Sequence, residues 1–287
     1  MTDMPTNVPT NARIIGSSIL PFSIDPFYQG IYFLLGKERG GQWRGSNRWD
    51  DFGGSANENE DPCEIAAREF QEESCGIIKV YENETPIPRK SKDLIYHLLQ
   101  TQAYMMHIDF QPDHNSPFVY RTYVKQVPWQ PEAFQQFGLL MNELVSLKNG
   151  KDASLLTYNH PAVYNITEDK SNIKVYDGYL EKQQLAYWSI PQLRSALQKP
   201  KRLIQIRHGR KEMLRETFSK RLATILSQFR MDSLGDPTSL PLIKDRTTPA
   251  VIETQRKPPA RNKEKDVGSG HGQCKTKAKD GGSGALP

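Results

Sequence analysis

Cysteine is scarce: Cys63, Cys75 and Cys274 are the only three in 287 residues. An odd, scattered set supports neither a disulfide framework nor a cysteine-built zinc site, so an intracellular setting is expected, in the cytoplasm. Long apolar runs are missing as well. No stretch approaches the roughly 18 to 20 apolar residues that a membrane span needs. The opening MTDMPTNVPTN has neither the basic start nor the apolar stretch of a secretory leader. A role inside a membrane is therefore not expected. Aromatic residues are missing from the last fifty-odd positions, where Gly, Pro, Ser and Lys dominate, and no apolar periodicity survives there. These shifts divide the chain into a flexible N-terminus at 1–11, one folded domain at 12–230 and a disordered basic C-terminal tail at 231–287.

Acidic charge is in short supply only near the C-terminus. Residues 1–198 carry 18 Lys and Arg against 24 Asp and Glu, whereas residues 199–230 carry 10 against 2 and residues 231–287 carry 10 against 7. An acidic body next to a strongly basic segment is the arrangement expected where carboxylates hold a cation and a neighbouring patch attracts phosphates. A solvated charged helix face would give the same count.

The apolar pattern predicts strands at Ala12–Phe22 and Ile31–Gly36, with Pro and Gly in the connecting SIDPFYQG. Further strands are expected at Gln102–Phe110, Phe118–Val127 and Ala162–Thr167. The run Tyr179–Leu193 reads as a strand turning into a short helix at Pro191. An amphipathic helix is predicted over 131–147, and a last one over Lys211–Phe229, its stripe running through Leu214, Phe218, Leu222, Ile225 and Leu226. Lys211, Arg215, Lys220 and Arg221 lie off that stripe.

The clearest local prediction is a helix over about 62–75. Asp61 can cap it, Pro62 suits the first helical position, and Gly76 suits the left-handed position after the last turn. On such a helix Glu69, Glu72 and Glu73 stand at i, i+3 and i+4, so three carboxylates leave one face. Left bare they repel, and a divalent cation would compensate them. Oxygen-only ligands suit Mg²⁺ or Mn²⁺. An exposed acidic helix face is the ordinary explanation of such a triple. Here, however, Gly53 and Gly54 precede the helix and let backbone pass close to a ligand, while Glu60 and Arg68 are placed to brace that loop.

With its spacings the stretch reads Gly54, five residues, Glu60, seven residues, Arg68-Glu69-Phe70, one residue, Glu72-Glu73, two residues, Gly76-Ile77. This resembles the box of the Nudix hydrolases, except that Ser74 and Cys75 stand where the usual box has one residue before the glycine. The extra residue is expected to lengthen the helix end without moving the acidic face. The resemblance implies an α/β/α sandwich with a mixed sheet, carrying an insertion at about 128–178. It also implies hydrolysis of a diphosphate linkage between a nucleoside and another group. Glu69, Glu72 and Glu73 would be catalytic metal ligands for Mg²⁺ or Mn²⁺, and Gly54, Glu60, Arg68 and Gly76 would support the box. Overall the chain also looks like Nudix proteins of large DNA viruses, which would place it in a host cytoplasm.

Outside the box, Glu181 and Glu168 are candidates for a general base or a further ligand. Arg39 and Arg48 flank the Gly-rich loop and could meet substrate phosphates, and Trp43 or Tyr104 could stack on a base. The insertion, the basic segment 199–230 and the tail together suit a polyanion, so decapping of capped RNA is the leading specific expectation. A small-molecule pyrophosphatase acting on nucleotide sugars or dinucleoside polyphosphates is the alternative. A third possibility is a non-catalytic nucleotide- or RNA-binding regulator, although the box carboxylates such a protein would be expected to lose all persist.

Overall fold

Strand alternation along the first two apolar runs sets the architecture. In the computed structural model, β1 (Arg13–Ile24) sends Ile19 to one side and Leu20 to the other, and β2 (Ile31–Glu38) does the same with Leu34 against Phe33 and Leu35. A sheet buried on both faces needs a helical layer on each. The structure describes residues 13–41, 45–82, 85–87, 92–111, 116–164, 173–199, 203–205 and 211–228, all within the first of two units into which the chain divides (Met1–Thr254). The expected flexible N-terminus and basic tail lie outside the described residues.

After β2 come β3 (Arg48–Asp50), β4 (Phe52–Ser55), α1 (Pro62–Glu73), β5 (Val80–Glu82), β6 (Thr85–Ile87) and α2 (Lys92–Gln100). Next are β7 (Met106–Phe110), β8 (Phe118–Gln126), α3 (Ala133–Lys148), the single turn α4 (Leu155–Tyr158), β9 (Val163–Tyr164) and β10 (Lys174–Val175). A 3₁₀ turn (Asp177–Leu180), β11 (Lys182–Ser189), α5 (Ile190–Gln198), β12 (Leu203–Gln205), β13 (Lys211–Leu214) and α6 (Glu216–Gln228) complete the described chain. Nine strands form one mixed sheet in the order β12-β13-β3-β2-β1-β8-β7, with β11 also paired to β2 and β4 to β1. The β1–β8 and β13–β3 pairs are parallel and the others antiparallel. On one face α1, α2 and α3 bury Phe70, Leu98, Phe137, Met141 and Leu144; on the other α5 and α6 bury Leu193, Phe218, Leu222 and Ile225. This is the expected helix–sheet–helix sandwich. Among the described residues no helix is long and apolar enough to cross a membrane.

Two sequence expectations are corrected. The segment Lys211–Phe229 is not one helix: Lys211–Leu214 adds a strand to the sheet edge beside Arg48–Trp49, and the helix starts at Glu216. Helical spacing and a buried strand position are indistinguishable for a single residue such as Leu214, so the stripe absorbed it. The strand over Gln102–Phe110 starts only at Met106, after a turn at the end of α2.

The exit of α1 also departs from expectation. The extra residue does not lengthen the helix, which ends at Glu73 with Ser74 as its C-cap. Cys75 takes the left-handed position with φ 51°, and Gly76 follows at 63°. The Gly76 N–H donates to Gln71 O at 3.0 Å and the Cys75 N–H to Glu72 O at 3.0 Å, the paired closure of a Schellman turn. Segment 128–178 clasps this exit. Cys75 Sγ lies 3.5 Å from Met141 Sδ on α3, and His160 Nε2 is 3.1 Å from Cys75 O.

Candidate metal and diphosphate site

The acidic face is mounted by the sequence around it. Asp61 Oδ1 accepts the Cys63 and Glu64 N–H groups at 2.7 and 3.0 Å, and Glu64 Oε2 returns a bond from the Asp61 N–H at 2.9 Å, so the first turn of α1 is closed reciprocally behind Pro62. Arg68 then ties the helix to the loop ahead of it. Its guanidinium donates to both oxygens of Glu60 at 2.7 and 2.9 Å, to Ser55 O at 3.0 Å and to Glu69 Oε1 at 2.8 Å, with Glu72 Oε2 at 3.5 Å. These Arg68 bonds hold the Glu60 carboxyl down at about 2.

The glycines before the helix serve the carboxylates. Gly53 N–H donates to Glu73 Oε2 at 2.7 Å, and a Cβ at Gly54 would stand 2.2 Å from Glu69 Oε1, so the Glu69 carboxyl occupies the space a side chain would need. Glu72 lies against Gly178 of the 3₁₀ turn, where a Cβ would come within 2.6 Å of its Oε2. Burial raises Glu69, with Arg68 opposing it, and likewise raises Glu72.

Tertiary structure adds carboxylates from two other elements. Glu38 closes β2 and Glu181 stands just before β11, and their oxygens, with one from Glu73, all lie within 4.8 Å of one another. Glu181 is exposed at the surface. Its carboxyl is nevertheless raised, by desolvation and by the charges of Glu69 and Glu38. Between Glu38 and Glu73 lies a side chain that drew no notice in the sequence. Lys182 Nζ is 2.5 Å from Glu38 Oε1 and 3.0 Å from Glu73 Oε1, with its side chain only 1% exposed. Glu73, raised well above its ordinary range by burial, is opposed chiefly by this ammonium.

An ionic chain, buried except at Arg215, runs on from Glu38 toward α6. Arg215 Nη1 lies 3.9 Å from Glu38 Oε1 and 2.8 Å from Asp50 Oδ2; Arg221 Nη2 lies 3.6 Å from Asp50 Oδ1 and 2.6 Å from Asp51 Oδ1. Arg221 is buried and its guanidinium covers the Tyr120 ring at 4.4 Å. Burial pushes Asp51 up to about 7 against the pull of Arg221, while Lys182, Arg221 and Arg215 hold Asp50 low despite its burial. Of the basic segment 199–230, Arg221 is buried against the Asp50–Asp51 pair, because two buried carboxylates without partners would cost several kcal/mol, while Arg215 bonds Asp50 and keeps 38% of its side chain exposed.

Of the other candidates, Arg39 is joined backbone to backbone with Glu181, its main-chain N–H donating to the Glu181 carbonyl at 2.7 Å. Arg48 is half-buried on β3, where strand alternation gives it the same sheet face as Asp50. Tyr104 is half-buried and packs edge-on against Tyr123 and His107 at the margin of the core. Trp43 and Glu168 lie outside the described residues. Glu38 was legible in hindsight: it is in phase with Leu34 and Gly36 on the face β2 buries toward α1, and a charged residue in a core phase calls for a partner.

No family model matches the chain, and neither does any curated protein. Solved structures do align with it: a Nudix hydrolase from M. smegmatis, RenU, at 10% identity over 75% of this chain and 86% of that one, TM-score 0.35; a Nudix hydrolase from Nitrosomonas europaea at 11% over 76% and 72%, TM-score 0.34; and a C. elegans Ap4A hydrolase at 9% over 61% and 80%, TM-score 0.28. Superpositions this loose carry no argument about the site. The residues carry it.

Proposed function

We propose that the chain is a Nudix-type hydrolase that uses Mg²⁺ or Mn²⁺ to cleave a diphosphate linkage between a nucleoside and a second group. One observation carries this: five carboxylates from three elements, Glu69, Glu72 and Glu73 with Glu38 and Glu181, converge on two cationic side chains, Arg68 and Lys182, and burial raises at least four of them. An all-oxygen set with surplus negative charge fits a hard divalent cation. Glu69, Glu72 and Glu73, with Glu181 beside them, are the residues that would hold it. When bound, the ion neutralises phosphate oxygens and lowers the pKa of a coordinated water.

The chain's own groups supply the rest. Arg68 and Glu60 hold the carboxylate face rigid, so that no reorganisation is needed when substrate arrives. Glu181, exposed and with its proton affinity raised by desolvation and by Glu69 and Glu38, is suited to accept a proton from water approaching the diphosphate. Arg39, beside it, and Arg48 are suited to meet the outer phosphate charge.

For the group beyond the diphosphate, a small nucleotide is the better-supported substrate, such as a nucleotide sugar or a dinucleoside polyphosphate. The capped-RNA alternative leans on the basic segment, where Arg221 is buried on Asp50 and Asp51 and only Arg215, bonded to Asp50, stays partly exposed. The test is a panel of nucleotide sugars, dinucleoside polyphosphates, nucleoside triphosphates and capped RNA, run with Mg²⁺, with Mn²⁺ and with chelator. Metal-dependent turnover is expected on a small nucleotide and should fall at least about 100-fold in Glu72→Gln and in Glu73→Gln. Turnover of capped RNA alone would reverse the substrate preference. No turnover of any compound by the unaltered protein would leave a binding module instead of an enzyme.

A further inference from the structure

The carboxylate cluster already contains a cation. Lys182 Nζ stands between Glu38 and Glu73 at 2.5 and 3.0 Å, on the side of those carboxylates that faces the sheet, and it is inaccessible to water. The path of its stem is built into the neighbouring strand. At Gly36 on β2, a Cβ would approach Lys182 Cδ to 2.8 Å, so only glycine lets the side chain cross there, and the ammonium ends 6.0 Å from the centre of the Phe52 ring. We infer that Lys182 is a resident monocation that fills the inner place of this cluster, so that divalent ions bind only on the outer side, at Glu69, Glu72, Glu181 and the Glu73 oxygen that does not face Lys182, and Glu38 is not a metal ligand. The inference rests on the metal-dependent reading above and deepens it by fixing which carboxylates are free to bind.

Three physical points support it. A divalent ion in the same place would lie within about 3 Å of a fixed positive charge, a strong like-charge repulsion even at an effective dielectric near 20. The oxygens of Glu38 and Glu73 stand at ammonium distances from Nζ, longer than the roughly 2.1 Å that Mg²⁺ demands. The Lys182 side chain is 1% exposed and its Nζ touches two carboxylates that are themselves buried, so a neutral amine there would leave both carboxylates without a cation. Glu38 in turn is taken up by Lys182 and, at longer range, by Arg215, which ties it to the ionic chain beneath the sheet edge.

The test counts Mn²⁺ bound per full-length chain, from the electron paramagnetic resonance signal of the free ion during titration. Glu38→Gln keeps an oxygen for the ammonium, and it should bind as many ions as the unaltered chain, with affinity within about 3-fold. Lys182→Gln should bind one more ion per chain, and Mn²⁺ should raise its melting temperature more than that of the unaltered protein. Loss of an ion in Glu38→Gln overturns the inference, as does an unchanged count in Lys182→Gln. Should Lys182→Gln fail to fold, Glu38→Gln decides the question alone. An unaltered chain that takes up no Mn²⁺ overturns the hydrolase reading together with this one, whereas the two variant outcomes bear on Lys182 only.

Discussion

Replacing Arg68 with alanine probes the mount of the acidic face. Arg68 makes four short polar contacts and one longer one, and its side chain is only 17% exposed. Glu60 offers a measure of what is lost. Its carboxyl is held at about 2 against an ordinary 4.5, which by linkage is on the order of 3 kcal/mol; with 15% of the Glu60 side chain still exposed and the pair partly screened, about 1–2 kcal/mol is the reasonable share. The lost bonds to Ser55 O and Glu69 bring the expected destabilisation to roughly 2–4 kcal/mol. The sign with pH follows from a depressed carboxylate. Its contribution is complete above about 4.5 and disappears as pH falls through about 2. Urea unfolding of both proteins at pH 7 and again between pH 3 and 4 should therefore show the stability gap narrowing in acid. A gap under about 0.5 kcal/mol at pH 7, or one that does not narrow, would refute the brace.

Three further outcomes are expected. Gly178→Ala should push the Glu72 carboxyl aside, lowering Mn²⁺ affinity about 10-fold while leaving the melting temperature within about 2 °C; an unchanged affinity would detach the 3₁₀ turn from the site. Cys75→Gly should unfold at higher urea than Cys75→Ala, by about 1 kcal/mol, because only glycine relieves the left-handed backbone there; the reverse order would mean that packing against Met141 dominates. Arg221→Met should cost about 3–5 kcal/mol in thermal or chemical denaturation by leaving Asp51 buried without its cation, and a stable variant with weakened RNA binding would restore the phosphate-contact role.

Legibility tracked the range of the interactions. The start of α1, its three aligned carboxylates and the Glu60–Arg68 spacing were readable because capping, helical phase and an eight-residue loop closure are local. The apolar runs of β1 and β2 also marked two buried strands. Other features were not readable. Leu214 fitted a helix stripe and belongs to a strand. Glu38 was readable only as a charge in a core phase that calls for some partner, and Lys182 not at all, because nothing along the chain says that β2 and β11 pair with these two residues in register.

By itself the sequence determined an acidic helical face, its cap and its brace, because each depends on residues within about twenty positions of one another. Only the tertiary structure decided which charges meet that face. Burying the sheet on both sides brings Glu38, Glu181 and Lys182 against Glu73 and turns Arg215 and Arg221 toward Asp50 and Asp51. Charges removed from water must find partners wherever the fold brings them within reach, so a count of basic residues along the chain does not say which of them remain at the surface.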